Sequence, residues 1–279
     1  MPRICARKGI VCLAVIDMDL HFQQYGSGPP LVILHGLLGS SDNWISLARL
    51  FGEQFEVIAP DLRNHGRSPH SDSMSHVEMA KDVADLLRCR RLSNVAMIGH
   101  SLGGKVAMES ALRFPNLIER LIVVDIAARA YEPRHGKLLQ SLEELDLGAL
   151  KNRTEAAAAL EKSVPSLALR RFFLKNLAVC EKGGIEWRIN LKGIRGSYPE
   201  LTRGLERGRA FAGPAMMMRG GKSDYVMDED IDDARALFPE LEFETIDEAG
   251  HWVHAEAPEA FYRIASLFLG RDEDALTAP

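Results

Sequence analysis

The sequence predicts an α/β fold: a mostly parallel β-sheet flanked by helices, with a helical cap insertion. Two observations predict it. Short apolar segments alternate with segments of helical periodicity through the first part of the chain, and strands that alternate with helices form a parallel sheet covered on both faces. The alternation stops at about residue 128 and returns at about residue 213, and helical periodicity fills the interval.

The predicted elements follow from these patterns. Strands are expected at residues 31–34, 55–59, 94–98, 121–124, 215–218 and 241–246, where the residues are mostly apolar. Helices of the sheet layer are expected at 77–90, 105–112 and 231–238. Leucine and alanine spacing predicts cap helices at 138–145, 156–160 and 167–177.

These patterns divide the chain into three parts. Residues 1–17 form a flexible N-terminal extension, and Met18 is an alternative start. Residues 18–127 and 214–279 form the α/β core, and residues 128–213 form the helical cap. Since the insertion begins beside Asp125, at the sheet edge where ligands bind in such folds, we expect it to cover that edge.

Composition excludes several classes of function. A net charge of −5 gives no basic surface for nucleic acid or anionic membranes, and no apolar run is long enough to span a bilayer. The four cysteines form no C-x-x-C pair, so we expect no cysteine metal site and no redox motif. We therefore predict a cytoplasmic protein that binds neither nucleic acid nor a membrane, and leave its oligomeric state open.

The segment Gly99-His100-Ser101-Leu102-Gly103-Gly104 is the most informative motif. It reads G-x-S-x-G between a predicted strand and a predicted helix, the setting in which a sharp turn exposes a serine nucleophile. Glycine on both sides of Ser101 lets the two arms of the turn approach. The alternative is a Gly-Ser turn without chemistry, but the flanking elements favour the nucleophile.

A serine hydroxyl needs a base, and the base needs a carboxylate to orient it. His251 is the candidate base because it follows the last predicted strand, in the order serine, acid, histidine. Two aspartates compete as the acid. Asp224 follows the strand at 215–218, although a count from Gly220 places Ser223 at that position, and Asp125 ends the preceding strand. Spacing does not decide between the aspartates.

Two backbone amides are the candidate oxyanion donors, and they would bind the substrate oxygen. One belongs to Leu102, directly after the candidate nucleophile, and the other to Leu37, in the loop after the strand at 31–34. A further loop, residues 61–68, is interpreted as a structural brace, with His65 only a minor alternative base.

Four segments together carry a family resemblance: residues 34–36, 61–68, 99–104 and 249–254. With them the chain resembles the α/β-hydrolases. The blocks Arg63-Asn64-His65-Gly66 and Trp187-Arg188-Ile189-Asn190 make it similar, more narrowly, to the YbfF-type bacterial esterases and their mitochondrial relatives. The resemblance covers about residues 18–270.

The resemblance implies hydrolysis of esters or thioesters without cofactor or metal. It also implies that Asp125 is the acid, because the aspartate after the earlier strand serves in that family. Asp224 departs from the family pattern. We thus predict a serine hydrolase that cleaves carboxylic esters or acyl thioesters through an acyl-enzyme, using Ser101, His251 and Asp125. The alternatives are a cofactor-free lyase or C–C bond hydrolase with the same three residues, or a non-catalytic small-molecule receptor.

Overall fold

The computed structural model describes residues 6–7, 10–11, 18–150, 152–179 and 184–270. Seven strands form one sheet, and every neighbouring pair is parallel except one pair at an edge. Helices cover both faces of this sheet. The predicted α/β fold is confirmed.

The strands of the chain, in order, are β1 (Ala6–Arg7), β2 (Ile10–Val11), β3 (Phe22–Tyr25), β4 (Pro30–Leu34), β5 (Glu56–Pro60), β6 (Val95–His100), β7 (Ile118–Val124), β8 (Leu177–Val179), β9 (Ile185–Trp187), β10 (Ala215–Gly220) and β11 (Leu241–Ile246). The seven-stranded sheet has the order β11-β10-β7-β6-β4-β5-β3, and its antiparallel edge pair is β5 and β3. All six predicted strands are present. The antiparallel edge strand β3 was not predicted, because its residues Phe-Gln-Gln-Tyr lack an apolar run and it pairs on one side only.

The helices are α1 (Ile45–Phe51), α2 (His76–Arg90), α3 (Leu102–Arg113), α4 (Gly136–Glu143), α5 (Arg153–Ala159), α6 (Leu167–Leu174), α7 (Leu191–Gly196), α8 (Tyr198–Leu201), α9 (Asp228–Arg235), α10 (Val253–Glu256) and α11 (Pro258–Phe268). Helix α9 begins three residues before the predicted 231 and also ends three residues early. Its first turn carries Asp228, Glu229 and Asp230, and acidic residues are favourable at a helix N-terminus.

Two apolar cores lie on the two faces of the sheet. Alternation along β4 sends Val32 and Leu34 to one core and Leu31 and Ile33 to the other. The first core contains residues of α2, α3 and the insertion, and the second contains residues of α1 and α11. Because the central strands are buried on both faces, they contain almost no charged side chains.

The insertion between β7 and β10 contains α4 to α8, and also a short antiparallel hairpin of β8 and β9. The helix predicted for residues 167–177 is confirmed from Leu167 to Leu174 and is wrong beyond that point, where β8 begins at Leu177. Helix α6 ends at Leu174, and Asn176, whose side chain bonds a distant backbone carbonyl, separates it from β8. This contact is tertiary, and the local apolar pattern therefore did not reveal where the helix ends.

The N-terminal segment is described only at β1 and β2, which pair with each other in antiparallel fashion. The rest of the predicted flexible extension 1–17 lies outside the described residues, as do residues 271–279 of the predicted core.

Lys105 links helix α3 to both ends of the insertion. Its ammonium donates hydrogen bonds to the carbonyl oxygens of Ala128 (3.1 Å), Arg129 (2.5 Å) and Arg203 (3.1 Å). Burial lowers the pKa of Lys105 to about 7. The start and the end of the insertion are thus held to the helix that follows the G-x-S-x-G turn.

Candidate active site

Ser101 lies on the sharp turn between β6 and α3. Its φ of 53° is positive, a conformation that costs free energy in a residue with a side chain. A Cβ added at Gly99 would come 2.2 Å from the Gly103 carbonyl oxygen, and one at Gly103 would come 2.5 Å from that of Leu34. Glycine at both positions is therefore what permits the turn that projects the Ser101 hydroxyl.

A continuous hydrogen-bonded chain joins three of the predicted site residues. His251 Nε2 lies 3.0 Å from Ser101 Oγ, and His251 Nδ1 lies 2.7 Å from Asp125 Oδ2. In the arrangement that makes a base of the imidazole, Nδ1–H donates to the carboxylate and Nε2 accepts from the serine. The structure thus brings Ser101, His251 and Asp125 together, although 150 positions separate the serine and the histidine in the chain.

Asp125 is fully buried at the end of β7, and three donors reach its carboxylate. The Gly220 amide donates to Oδ1 at 3.0 Å, while the Ser223 hydroxyl and His251 Nδ1 donate to Oδ2. The backbone at Asp125 has a positive φ of 50°, and its amide donates to Met218 of the neighbouring strand at 2.8 Å. These three donors satisfy both oxygens of the buried carboxylate and fix its orientation toward His251.

Asp224, the competing acid, lies elsewhere. Its side chain is 70% exposed and accepts a hydrogen bond from Arg134 at 2.7 Å. Ser223, one residue earlier, is the member of this loop that reaches Asp125. The structure therefore places Asp125, and not Asp224, beside His251.

Aromatic rings surround His251. Tyr225 stacks on its imidazole, with ring centroids 3.9 Å apart and planes 20° apart. His100 donates from Nε2 to the His251 carbonyl oxygen at 2.8 Å, which orients the loop that carries the base. Burial holds the pKa of His100 well below its usual value and lowers that of His254 to about 3. These two neighbouring imidazoles are consequently neutral.

The two candidate oxyanion amides flank Ser101. Leu102 is the first residue of α3, where amide groups have no partner within the helix, and Leu37 lies in the loop after β4. Both residues line a small cavity together with Ser101. Among the described residues, neither amide has a hydrogen-bond partner, so both are available to an anionic oxygen.

Two buried histidines support the loop that contains Leu37. His35 Nε2 accepts from the Leu62 amide at 3.0 Å, so its proton is on Nδ1, which donates to the Gly36 carbonyl at 2.8 Å. His65 Nε2 accepts from the Leu38 amide at 3.1 Å. Burial lowers the pKa of His65 to about 3. His65 is 0% exposed and neutral, and its Nε2 is occupied by the Leu38 amide. It therefore supports the loop structurally, which agrees with the interpretation of residues 61–68 as a brace.

Two cavities meet at Ser101. The larger, about 680 Å³, lies between the loop after β4, the insertion and the His251 loop, and Leu138, Leu169, Phe172 and Trp252 give it apolar walls. The smaller, about 60 Å³, has mostly apolar walls with the tyrosine rings of Tyr131, Tyr198 and Tyr225. Ser101 therefore faces a site that can hold an apolar group on one side and a small group on the other.

Comparisons with known proteins match residues 29–258 to the family described as alpha/beta hydrolase fold. The chain belongs to the α/β-hydrolase family. It is 38% identical over 255 residues to the sn-1-specific diacylglycerol lipase ABHD11 of Xenopus tropicalis, covering 88% of this chain and 80% of that protein. It is 34% identical to the esterase YbfF of Escherichia coli K12, covering 88% of this chain and 95% of the relative.

One solved structure of an esterase is similar to this chain in both fold and sequence. A marine microorganism esterase superposes with a TM-score of 0.88 at 38% identity, covering 90% of this chain and 100% of that one. The predicted resemblance to the YbfF-type esterases is thereby confirmed, and the relatives include esterases and lipases.

Several residues near the site were not predicted from the sequence as site residues. His135 of the insertion lines both cavities, and its Nδ1 lies 2.9 Å from the Tyr198 hydroxyl. Ser223 was noted only for its spacing after Gly220, and Tyr225 was not predicted as a site residue. No sequence signal identifies His135, because its position depends on how the insertion folds over the sheet.

In the ranges that the structure describes, no group of three or more histidine, cysteine, aspartate or glutamate side chains is arranged to hold a metal ion. The same ranges contain no helix with the length and apolar character needed to cross a bilayer. The cytoplasmic location stays a prediction from the sequence.

Proposed function

We propose that this protein is a serine hydrolase that cleaves carboxylic esters through an acyl-enzyme, with Ser101, His251 and Asp125 as its catalytic residues. The observation that carries the proposal is the hydrogen-bonded chain of 3.0 Å and 2.7 Å from Ser101 through His251 to Asp125. The likeness of the chain to esterases and lipases supports the same chemistry.

In the first half of the reaction, Ser101 Oγ attacks the carbonyl carbon of the ester while its proton moves to His251 Nε2. The carbonyl oxygen becomes an oxyanion and accepts hydrogen bonds from the amides of Leu37 and Leu102. The tetrahedral intermediate collapses, the C–O bond to the alcohol breaks, and His251 gives its proton to the leaving alkoxide. Asp125 orients the imidazole and stabilises its positive charge.

In the second half, water takes the place of the alcohol. His251 accepts a proton from the water as its oxygen attacks the acyl carbon of the Ser101 ester. The second tetrahedral intermediate uses the same two amides. Its collapse breaks the bond to Ser101 Oγ, returns the proton to the serine, and releases the carboxylic acid.

The substrate that we propose is an ester with a hydrocarbon chain. The larger cavity has apolar walls from Leu138, Leu169, Phe172 and Trp252, and burial of a chain there contributes about 0.8 kcal/mol per CH₂. Acyl thioesters follow the same steps with a thiolate leaving group, and we include them in the proposed class.

We also propose that residues 128–213 form a cap and that the core comprises residues 18–127 and 214–279. The supporting observation is that Lys105 holds Ala128, Arg129 and Arg203, near the two ends of this segment. Helices α4 and α6 of the segment contribute Leu138 and Phe172 to the larger cavity.

Hydrolysis of p-nitrophenyl esters, from acetate to laurate, tests the proposal. We expect wild-type activity with an optimum above acetate, and a loss of about 10⁴-fold or more in kcat for Ser101→Ala. Ser141→Ala is the matched control, because Ser141 is partly exposed on α4 and its hydroxyl bonds the Lys137 carbonyl.

Labelling of Ser101 by a fluorophosphonate separates the alternatives. A labelled wild-type protein that hydrolyses no ester or thioester would replace our proposal with lyase or C–C bond chemistry. A protein that neither reacts with the probe nor hydrolyses esters would favour a non-catalytic receptor.

A further inference from the structure

We propose that Asn176, a residue of the insertion, positions the Leu37 amide for the oxyanion, so that the folded insertion completes the site from outside the core. The proposal rests on the proposed ester hydrolysis, in which Leu37 is an oxyanion donor. Asn176 does not line either cavity around Ser101, and it acts through the backbone of Leu38.

Leu38 has an unfavourable backbone conformation. Its φ is 58°, in the left-handed region, and its side chain is 2% exposed. A leucine in that region costs roughly 1–2 kcal/mol relative to its ordinary conformations. The surrounding structure must therefore hold Leu38 in place.

Two hydrogen bonds hold the two peptide groups on either side of Leu38. The Leu38 amide donates to His65 Nε2 at 3.1 Å. The Leu38 carbonyl accepts from Asn176 Nδ2 at 2.7 Å, and 138 positions separate these two residues in the chain. Both bonds are buried, so removal of either partner takes a hydrogen bond away from a buried polar group of Leu38.

Asn176 is itself held rigidly. The residue is 3% exposed. Its backbone N–H donates to the Phe173 carbonyl at 2.9 Å, and its backbone carbonyl accepts from the Arg188 amide at 2.8 Å. A carbonyl can only accept, so the NH₂ group of Asn176 faces Leu38. The orientation of this side chain is therefore set by the fold of the insertion.

The peptide group between Leu38 and Gly39 connects the Asn176 contact to the Leu37 amide, because its carbonyl oxygen accepts from Asn176 and its N–H is the Gly39 amide. The Gly39 amide, just after Leu38, donates to the Gly36 carbonyl at 3.0 Å, and His35 Nδ1 donates to the same oxygen at 2.8 Å. That carbonyl shares its peptide plane with the Leu37 N–H, and the two point in opposite directions in a trans peptide. The Gly36 carbonyl oxygen points toward the buried His35, and the Leu37 N–H therefore points the opposite way, toward the cavity that contains Ser101.

Asn190 provides a matched comparison, because it joins the insertion to the core without touching the loop of Leu37. Its Nδ2 donates to the Ser71 carbonyl at 3.1 Å, and its amide donates to the Asn64 carbonyl at 3.0 Å. A change at Asn190 weakens the attachment of the insertion, whereas a change at Asn176 also releases Leu38.

The test compares Asn176→Leu and Asn176→Ser with Asn190→Ala in the full chain. Each protein is measured for hydrolysis of a p-nitrophenyl ester and for inhibition by two ketones of equal chain length. Ser101 Oγ adds to the carbonyl carbon of a trifluoromethyl ketone, and the ketone oxygen becomes an oxyanion. The methyl ketone binds without this addition, as an analogue of the ground state. Transition-state analogues report the oxyanion donors selectively.

We expect both Asn176 variants to lose about 10- to 100-fold in kcat and in trifluoromethyl ketone affinity, since a small misplacement of a catalytic group has effects up to about 10²-fold. KM and methyl ketone affinity should change less than about 3-fold. Asn190→Ala should keep the wild-type ratio of the two ketone affinities.

The proposal is overturned if folded Asn176 variants keep the wild-type ratio of ketone affinities, or if both affinities fall together. Failure of both variants to fold, judged by circular dichroism and thermal unfolding, would assign Asn176 a purely structural role and would also overturn it. Absence of ester hydrolysis in the wild type is a different result, because it refutes the proposed function itself.

Discussion

The hydroxyl of Ser223 donates a hydrogen bond to Asp125 Oδ2, the same oxygen that faces His251 Nδ1. Ser223 lies in the loop after β10, and Asp125 ends the adjacent strand β7. The later loop therefore contributes a hydroxyl to the carboxylate of the earlier strand end. This relationship distinguishes the two candidate acids and leads to the first two predictions.

Replacement of Asp125 by asparagine should lower kcat by about 10⁴-fold, because the amide would favour the wrong tautomer of His251. Asp224→Asn is the matched control and should change kcat by less than about 3-fold, since Asp224 is 70% exposed and pairs with Arg134. Steady-state hydrolysis of one p-nitrophenyl ester measures both. A severe loss in Asp224→Asn with an active Asp125→Asn would show that our assignment is wrong.

Ser223→Ala should lower kcat by about 10-fold, because it removes one of the three donors that hold the Asp125 carboxylate beside His251. A hydrogen bond to a charged group is worth about 1.5–3 kcal/mol, and about 1.4 kcal/mol corresponds to a tenfold change in rate. Steady-state hydrolysis of one p-nitrophenyl ester measures the loss, and a wild-type kcat in Ser223→Ala would contradict the argument.

Gly99→Ala should destabilise the protein by more than about 3 kcal/mol, because overpacking against rigid backbone is severely unfavourable. The added Cβ would lie 2.2 Å from the Gly103 carbonyl oxygen. Gly196→Ala is the control, since no atom of the described residues lies within 4 Å of a Cβ added there and the residue is helical. It should be neutral or stabilise by up to about 1 kcal/mol. Urea unfolding measures both, and equal stabilities would refute the steric account of the turn.

Acid should destabilise the protein through its buried histidines. Burial lowers the pKa of His254 to about 3, against about 6.5 in an unfolded chain. Between these values the unfolded state binds more protons, so the free energy of unfolding falls as pH falls. From pH 7 to pH 5 one such histidine contributes a loss of about 2 kcal/mol.

His254→Leu should remove that part of the pH dependence. Its ring stacks on Trp44 with centroids 4.1 Å apart, and its Nδ1 has no hydrogen-bond partner in the part of the chain that the structure describes, so an apolar side chain suits the position. The difference in unfolding free energy between pH 7 and pH 5 should be about 2 kcal/mol smaller than in the wild type. An unchanged difference would mean that His254 does not contribute to acid unfolding.

Local patterns predicted most of the sheet but missed elements whose stability is tertiary. The buried strands β6 and β7 follow from continuous apolar runs. Strand β3 depends on pairing with β5, and β8 depends on pairing with β9, so neither has a distinctive sequence of its own. The predicted helix was extended too far, to Leu177, for the same reason: Leu177 belongs to β8.

The sequence by itself determined the family, the parallel sheet and the turn at Ser101, because apolar periodicity and the small residues Gly99 and Gly103 act over a few positions. Only the tertiary structure decided which aspartate lies beside His251 and what holds the loop of Leu38. Asp125 and His251 are 126 positions apart, and Asn176 and Leu38 are 138 apart. Hydrogen bonds over such separations depend on how strands and the insertion pack in space, and local sequence spacing does not encode that packing.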